Sequence, residues 1–304
     1  MNYKEVTWKN KRQIGRMITM VENAVEGHEE VFEALYEKTG SAYVIGITGP
    51  PGAGKSSLTD ILARSFISRD KNVGIIAIDP TSPFTGGSIL GDRIRMNELS
   101  TDPRVFIRSM GSRGQLGGLS AATSSAVQIL DAVGADIIII ETVGVGQSEV
   151  EIVKHADSIL MVMVPGLGDD IQAMKAGIME IGDIFVINKS DLPGANKTKI
   201  EVEAMLSFMP KKSWRPPVLL ASATKEEGIE EVVDALESHR AFQEEDGLLF
   251  ERRKRNLNEL LFEILQDKLF RQVKKLEDYP LVLEELTEKT IDPYAAANQL
   301  FEKI

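Results

Sequence analysis

The chain has 304 residues and no cysteine, which excludes disulfides and thiolate metal centres. Its 35 Lys and Arg residues against 46 Asp and Glu give a formal charge of −11, which argues against a dedicated nucleic-acid-binding surface. The three histidines, His28, His155 and His239, lie in separate segments, so a zinc or nickel centre has almost no candidate ligands.

The N-terminal segment, residues 1–40, is predicted to be a helical extension. Apolar side chains recur at helical spacing from Ile14 to Val25, and a second helical run contains Val31 and Leu35. No apolar leader follows the basic first residues, and no stretch reaches the ~18 apolar residues that a membrane-spanning helix needs. We therefore expect a cytoplasmic protein with no membrane partner.

Residues 41–240 are predicted to form an α/β domain. Seven short apolar runs are separated by helical stretches: YVIGITG, NVGIIAID, RVFIRSM, ADIIIIETVG, SILMVMVPG, IFVINKSD and PVLLASA. Uninterrupted Ile and Val runs indicate strands buried on both faces, as in parallel sheets covered by helices. The predicted fold is a doubly wound, mainly parallel sheet with N- and C-terminal helical extensions.

The loop after the first predicted strand has the pattern G-x-x-x-x-G-K-S, and an amphipathic helix follows it. In this context glycines let backbone N–H groups converge on an anion, and the helix start adds its positive dipole end. We predict that Lys55 bridges the β- and γ-phosphates and that the Ser56 hydroxyl binds Mg²⁺. The residues predicted to bind the nucleotide here, called the P-loop below, are Gly49, Pro50, Pro51, Gly52, Ala53, Gly54, Lys55, Ser56 and Ser57.

The predicted strand IFVI ends in Asn188-Lys189-Ser190-Asp191, the N-K-x-D pattern of a guanine-reading loop, called the base loop below. The Asp191 carboxylate can accept hydrogen bonds from the ring N–H and the exocyclic amine of guanine, a pair of donors that adenine does not present. Asn188 and Lys189 are expected to hold this loop and to cover the base.

A further nucleotide contact is predicted after the last strand, where a backbone N–H could reach the guanine O6. The candidates are Ser222, Ala223 and Thr224, and an ordinary Ser/Thr turn is the alternative.

Acidic residues near three strand ends are candidates for a metal site. Glu141 ends ADIIIIE, where many P-loop proteins carry Asp, and its contact with Mg²⁺ could run through water. Asp79 ends NVGIIAID, and Asp92 lies in the Gly- and Ser-rich loop that follows. Solvated turns are the alternative for Asp79 and Asp92.

The loop after SILMVMVP is a candidate switch that couples nucleotide to a partner. Gly166, Gly168 and Gly177 frame its charged and polar residues, which include Asp169, Asp170, Gln172 and Lys175. A glycine-framed charged segment can hold two arrangements of similar energy. The alternative is a solvated helix start, with Asp169 and Asp170 at its positive end.

Residues 241–304 are predicted to be helical, with breaks at Tyr279-Pro280 and at 291–293. An apolar stripe runs along the first helix through Leu257, Leu260, Leu261, Ile264, Leu265 and Leu269. A lone terminal helix should not leave this much apolar surface in water, so we predict a homodimer that uses the stripe. Packing back on the chain's own core is the alternative.

Five segments together resemble the MeaB/ArgK family of P-loop GTPases: GPPGAGKSS, AIDPTSPFTGGSILGDRIRM, IIIIETVGVGQSE, NKSD and TIDPYAAA. The resemblance spans nearly the whole chain. It implies the P-loop GTPase fold and a homodimer joined through residues 241–304. It also implies that GTP hydrolysis protects an adenosylcobalamin-dependent acyl-CoA mutase, methylmalonyl-CoA mutase above all, and gates its cofactor loading.

The resemblance also implies a set of site residues. The metal ligands would be Ser56, Asp79, Asp92 and Glu141, and the residues acting in hydrolysis of GTP to GDP and phosphate would be Lys55, Asp92, Glu141, Gln172 and Lys175. Because the first Gln after the E-T-V-G motif is Gln147 and not the next residue, intrinsic turnover is expected to be slow. The alternative function is a kinase that passes the γ-phosphate to an amino acid or a transport protein, a label that similar sequences carry.

Overall fold

The computed structural model describes residues 2–79, 99–111, 118–142, 151–166, 176–209 and 213–304. The chain divides into two compact units, Met1–Asn256 and Leu257–Ile304. Among the described residues, no helix has the length and apolar character needed to cross a membrane. A cytoplasmic location stays a prediction.

The first unit is built on a parallel sheet of seven strands in its described part. The strands are β1 Tyr43–Thr48, β2 Val73–Asp79, β3 Val105–Gly111, β4 Ile137–Thr142, β5 Ser158–Met163, β6 Ile184–Ile187 and β7 Val218–Leu220. Their order is β3-β2-β4-β1-β5-β6-β7, and every pair of neighbouring strands is parallel. The predicted doubly wound α/β fold is confirmed.

Strand order sets the location of the site. The central strand β1 lies between β4 and β5, so the connection leaving β1 meets the ends of strands from both halves of the sheet. In open parallel sheets, ligands bind at such a switch point, beyond the carboxyl ends of the strands. The P-loop, Glu141 and the base loop all lie at this edge.

Helices cover the sheet on both faces. They are α1 Lys11–Glu22, α2 His28–Leu35, α3 Lys55–Ser68, α4 Gly118–Ala132, α5 Ala176–Ile181, α6 Ala195–Phe208 and α7 Ile229–Glu245. The next helix, α8 Leu248–Val273, begins in the first unit and continues into the second. One apolar cluster contains Leu58 and Leu62 of α3 with Val232 and Leu236 of α7. A second cluster joins α1, α2 and α4 to the opposite face, and a third packs α5 and α6 against β5, β6 and β7.

The N-terminal helices belong to this core. Ile14, Met17 and Ile18 of α1 are almost fully buried, in one cluster with residues of β1, β2 and β4. The first helix ends at Glu22, before the Val25 end suggested by its periodicity, because Ala24 adopts a left-handed φ of 45°. The segment is therefore helical as predicted, but its first helix ends one turn earlier than the apolar periodicity suggests.

The first unit extends beyond residue 240. Helix α7 continues to Glu245, and Arg253 of α8 donates to both carboxylate oxygens of the buried Asp157, at 2.8 and 2.7 Å. This bidentate ion pair fixes the first turns of α8 to the sheet. The predicted functional division into 1–40, 41–240 and 241–304 stays a prediction, since the compact unit ends inside α8.

The second unit is helical in all its described elements. It contains the end of α8, then α9 Tyr279–Thr287 and α10 Pro293–Phe301. Pro280 and Pro293 lie in the first turns of α9 and α10, where their missing N–H costs no hydrogen bond. Tyr279-Pro280, where a break was predicted, is the start of α9. The interruption between the two helices lies just before it, after the end of α8 at Val273.

Candidate functional site

Backbone shape and space both require glycine in the P-loop. Gly49, Gly52 and Gly54 have φ values of 140°, 74° and 83°. A Cβ on Gly49 would lie 2.1 Å from the Val162 carbonyl oxygen, and one on Gly54 would lie 2.5 Å from the Asn188 amide nitrogen. A Cβ on Gly52 would meet nothing within 4 Å, so only its φ demands glycine. The loop is therefore packed on β5 and the base loop, and open at Gly52.

Lys55 begins α3 and folds back over the P-loop. Its Nζ donates to the carbonyl oxygens of Gly49 at 2.7 Å and Pro50 at 3.0 Å. Only 6% of the residue is exposed, a burial that the loop motif alone does not predict. The ammonium is thus held inside the loop, where an anionic phosphate would compete for it as a stronger acceptor than neutral carbonyls.

Ser56 and Glu141 meet at the carboxyl edge of β4. The Ser56 hydroxyl donates to Oε1 of Glu141 at 2.5 Å, and Glu141 is 3% exposed. In the register of the sheet, Glu141 lies between Ile47 of β1 and Ala77 of β2. Hydroxyl and carboxylate oxygens are the ligand types that Mg²⁺ prefers, so this pair fits a magnesium site in its donor chemistry.

The remaining predicted metal and switch residues are described only in part. Asp79 ends β2 opposite Gly111, and its backbone alone is described. Asp92, Gln172 and Lys175 lie outside the described residues. In the described part of the chain, no group of three or more His, Asp or Glu side chains comes together as a metal site.

Asn188 joins three segments of the site. Its side-chain amide donates to the Ala53 carbonyl at 2.8 Å, and its Oδ1 accepts from the Ala223 N–H at 3.1 Å. Its own backbone N–H donates to Met163 O at 2.8 Å. Asn188 is 2% exposed, so these bonds tie the P-loop, the end of β5 and the segment after β7 to the base loop.

Lys189 adds a second link between the base loop and the P-loop. Its φ is 55°, and its Nζ donates to the Gly52 carbonyl at 2.8 Å. The lysine stem therefore runs from the base loop to the open glycine of the P-loop, consistent in position with a side chain that would cover a base.

Asp191 is prepared as an ionised acceptor. Its Oδ1 accepts from the Ser222 hydroxyl at 2.8 Å. This hydrogen bond, more than any other contact, holds the pKa of the Asp191 carboxyl below its usual range. At neutral pH the side chain therefore offers only acceptors, as a base with two adjacent N–H donors requires.

Two of the three backbone groups expected at guanine O6 are already engaged. The Ser222 N–H donates to Glu227 O at 2.9 Å, and the Ala223 N–H donates to Asn188. Thr224 lies next to them, with its hydroxyl 3.4 Å from the Ser222 Oγ.

The sequence analysis did not identify Lys225 as a site residue. In the structure its Nζ lies 3.8 Å from Asp191 Oδ2. The only sequence signal was a lysine directly after S-A-T.

Comparison with known proteins identifies the family. The family model described as methylmalonyl Co-A mutase-associated GTPase MeaB matches residues 14–278. The chain belongs to the MeaB family. It is 49% identical to “Putative GTPase PYRAB02490” of Pyrococcus abyssi in an alignment 303 positions long, which covers 97% of this chain and 93% of that protein. It is 34% identical to GTPase ArgK of Escherichia coli in an alignment 306 positions long, which covers 96% of this chain and 92% of that protein.

A solved structure shares the fold of this MeaB-family chain. The crystal structure of an LAO/AO transport system kinase has a TM-score of 0.73 and 26% identity, and the match covers 97% of this chain and 93% of that one. The family resemblance predicted from the motifs is confirmed, and the chain is a P-loop GTPase enzyme.

Proposed function

We propose that the chain binds GTP across the P-loop and the base loop, and that hydrolysis controls an adenosylcobalamin-dependent acyl-CoA mutase. The observation that carries the nucleotide part is Asn188, whose buried side chain bonds both the P-loop and the segment after β7. Because the phosphate-binding and base-reading segments are joined by one side chain, a single nucleotide can bridge them. The mutase part rests on the family description.

In this proposal, each group acts at one point of the nucleotide. Lys55 leaves the carbonyls of Gly49 and Pro50 to contact the β- and γ-phosphates, and the P-loop N–H groups bind phosphate oxygens. Asp191 accepts the two guanine donors. Ser56, Asp79, Asp92 and Glu141 would hold Mg²⁺, which neutralises phosphate charge when it is bound. Gln172 and Lys175 are proposed to act in hydrolysis.

The proposed client is methylmalonyl-CoA mutase, which the protein would protect and whose cofactor loading it would gate. The name of the matched family supports this choice. The experiment is to mix the protein with purified mutase and to follow complex formation by light scattering with GDP and with a non-hydrolysable GTP analogue. A complex whose stability differs between the two nucleotides supports the proposal. Absence of a complex in both nucleotide states would contradict it.

The second candidate function is a kinase, because the solved relative is titled an LAO/AO transport system kinase. The two functions differ in where the γ-phosphate goes. With GTP labelled at the γ-position, the GTPase proposal expects all label in inorganic phosphate. Stable label on an amino acid or a transport protein would favour the kinase.

The homodimer is proposed from α8. Leu257, Leu261 and Leu265 are 42%, 53% and 51% exposed, and Ile264 and Leu269 of the same stripe are also exposed. Burial of this stripe against a second copy would remove apolar surface from water. We expect Leu261→Asp plus Leu265→Asp to convert a dimer to a monomer in light scattering.

The matched control for the dimer prediction is Asn256→Asp plus Gln266→Asp. It adds the same two charges at polar positions of α8 that lie, by helical spacing, on the side away from the stripe. The control should stay dimeric at the same concentration. A monomeric unmodified protein, or a leucine variant that stays dimeric, would contradict the use of this stripe.

A further inference from the structure

The segment that follows β7, residues 222–228, closes on itself and is called the 222–228 turn. Ser222 N donates to Glu227 O at 2.9 Å, and Glu227 N donates back to Ser222 O at 3.2 Å. At the end of the turn, Gly228 has a φ of 73°, and a Cβ there would lie 2.1 Å from Leu220 O. These constraints give the turn a defined shape, so the direction of the side chains at its tip is set by the fold.

Lys225 lies at the tip of this turn and faces the base-reading carboxylate. Its backbone N–H donates to Ser222 O at 3.1 Å, and its Nζ lies 3.8 Å from Oδ2 of Asp191. The other oxygen, Oδ1, accepts the Ser222 hydroxyl at 2.8 Å. Both carboxylate oxygens are therefore engaged by this one turn, Oδ1 by a neutral donor and Oδ2 by a cation.

The two engagements differ in strength. The Ser222 hydrogen bond has the ordinary length of an O–H···O bond, 2.8 Å, and Ser222 is fully buried. The Lys225–Asp191 contact exceeds hydrogen-bond distance, and the side chains are 54% and 22% exposed. Ion pairs of this exposed kind are weak and are screened by salt. An incoming base could therefore displace Lys225 from Oδ2, whereas the hydrogen bond from Ser222 to Oδ1 would stay in place.

We propose that Lys225 is a specificity-determining residue that competes with the base for Oδ2 of Asp191, and so weakens guanine nucleotide binding and speeds nucleotide release. The inference rests on the proposed guanine-reading role of Asp191. Guanine brings two N–H donors to the carboxylate and needs both oxygens, so it must displace the ammonium. Hypoxanthine lacks the exocyclic amine and brings one donor, so it competes with Lys225 less. Lys225 therefore reduces the preference for guanine over hypoxanthine.

The test compares Lys225→Met with the unmodified protein, because methionine keeps most of the apolar stem and removes the charge. We expect the variant to bind GDP roughly twofold to fivefold more tightly, with slower release. The gain for inosine diphosphate should be smaller, and the difference between the two proteins should shrink at high salt. The control is Lys199→Met, since Lys199 makes an ion pair with Glu203 of similar length, 3.9 Å, on α6. That variant should bind both nucleotides as the unmodified protein does.

A double-mutant cycle separates this inference from the base-reading proposal itself. With Asp191→Asn in place, Lys225→Met should no longer change the affinity for xanthosine diphosphate, because the carboxylate it pairs with is gone. If Lys225→Met leaves GDP affinity unchanged or lowers it, while Asp191→Asn still abolishes guanine preference, the inference is overturned and the base-reading role stands. If Asp191→Asn keeps its guanine preference, the base-reading role fails, and with it this inference.

Discussion

Asp191→Asn is expected to lower the affinity for GTP by about 100-fold or more and to make xanthosine triphosphate the preferred nucleotide. The Ser222 hydroxyl donates to Oδ1, so an asparagine can keep this bond by turning its amide oxygen toward Ser222. Its NH₂ group then replaces Oδ2. That group presents a donor where guanine brings its own donors, and xanthine offers a carbonyl there.

Competition binding with GTP and xanthosine triphosphate measures this change. The matched control is Asp234→Asn, the same chemical change at an exposed position of α7. Asp234 pairs only weakly with Arg69, at 3.8 Å, so its variant should bind GTP normally. An Asp191→Asn protein that still prefers GTP would show that another residue reads the base.

Lys55→Ala is expected to lower the rate of GTP hydrolysis by roughly 10²–10³-fold or more, since it removes the charge proposed to stabilise the transferring phosphoryl group. In the structure the ammonium also satisfies the carbonyls of Gly49 and Pro50. The substitution therefore costs some stability as well as activity, and thermal unfolding must be measured for each variant. Lys55→Met provides a second test, because it fills most of the space that the lysine stem occupies.

The control for this experiment is Lys71→Ala. Lys71 lies before β2 at the amino edge of the sheet, with an exposed side chain 4.0 Å from Asp136. Its variant should hydrolyse GTP at the unmodified rate. Near-normal turnover in folded Lys55→Ala and Lys55→Met proteins would remove Lys55 from the mechanism.

The strands and the positions of the P-loop and the base loop at strand ends were predictable because their signals are local. Continuous Ile and Val runs indicated buried strands. The segment from Gly49 to Ser56 connects β1 to the start of α3, as its motif predicts. The end of α1 was less predictable, because periodicity continued through Ala24 while the backbone had already turned.

The contacts that assemble the site could not be predicted in the same way. Asn188 reaches Ala53 across 135 residues of sequence, and this contact depends on β5 lying between β1 and β6 in the sheet. No local sequence pattern predicts this order of strands in the sheet. The burial of Lys55 was missed for the same reason, since it follows from the packing of the P-loop on its neighbours. Lys225 is close to Asp191 only because the 222–228 turn closes.

The rate of GTP hydrolysis measured against rising concentrations of purified methylmalonyl-CoA mutase tests the central claim most directly. A regulatory GTPase with slow intrinsic turnover is expected to show saturable stimulation by its client, with the released phosphate matching the GTP consumed. The Lys55→Ala protein should show no stimulated turnover in the same assay. A rate that is independent of the mutase at every concentration, without a complex between the two proteins, would contradict the account.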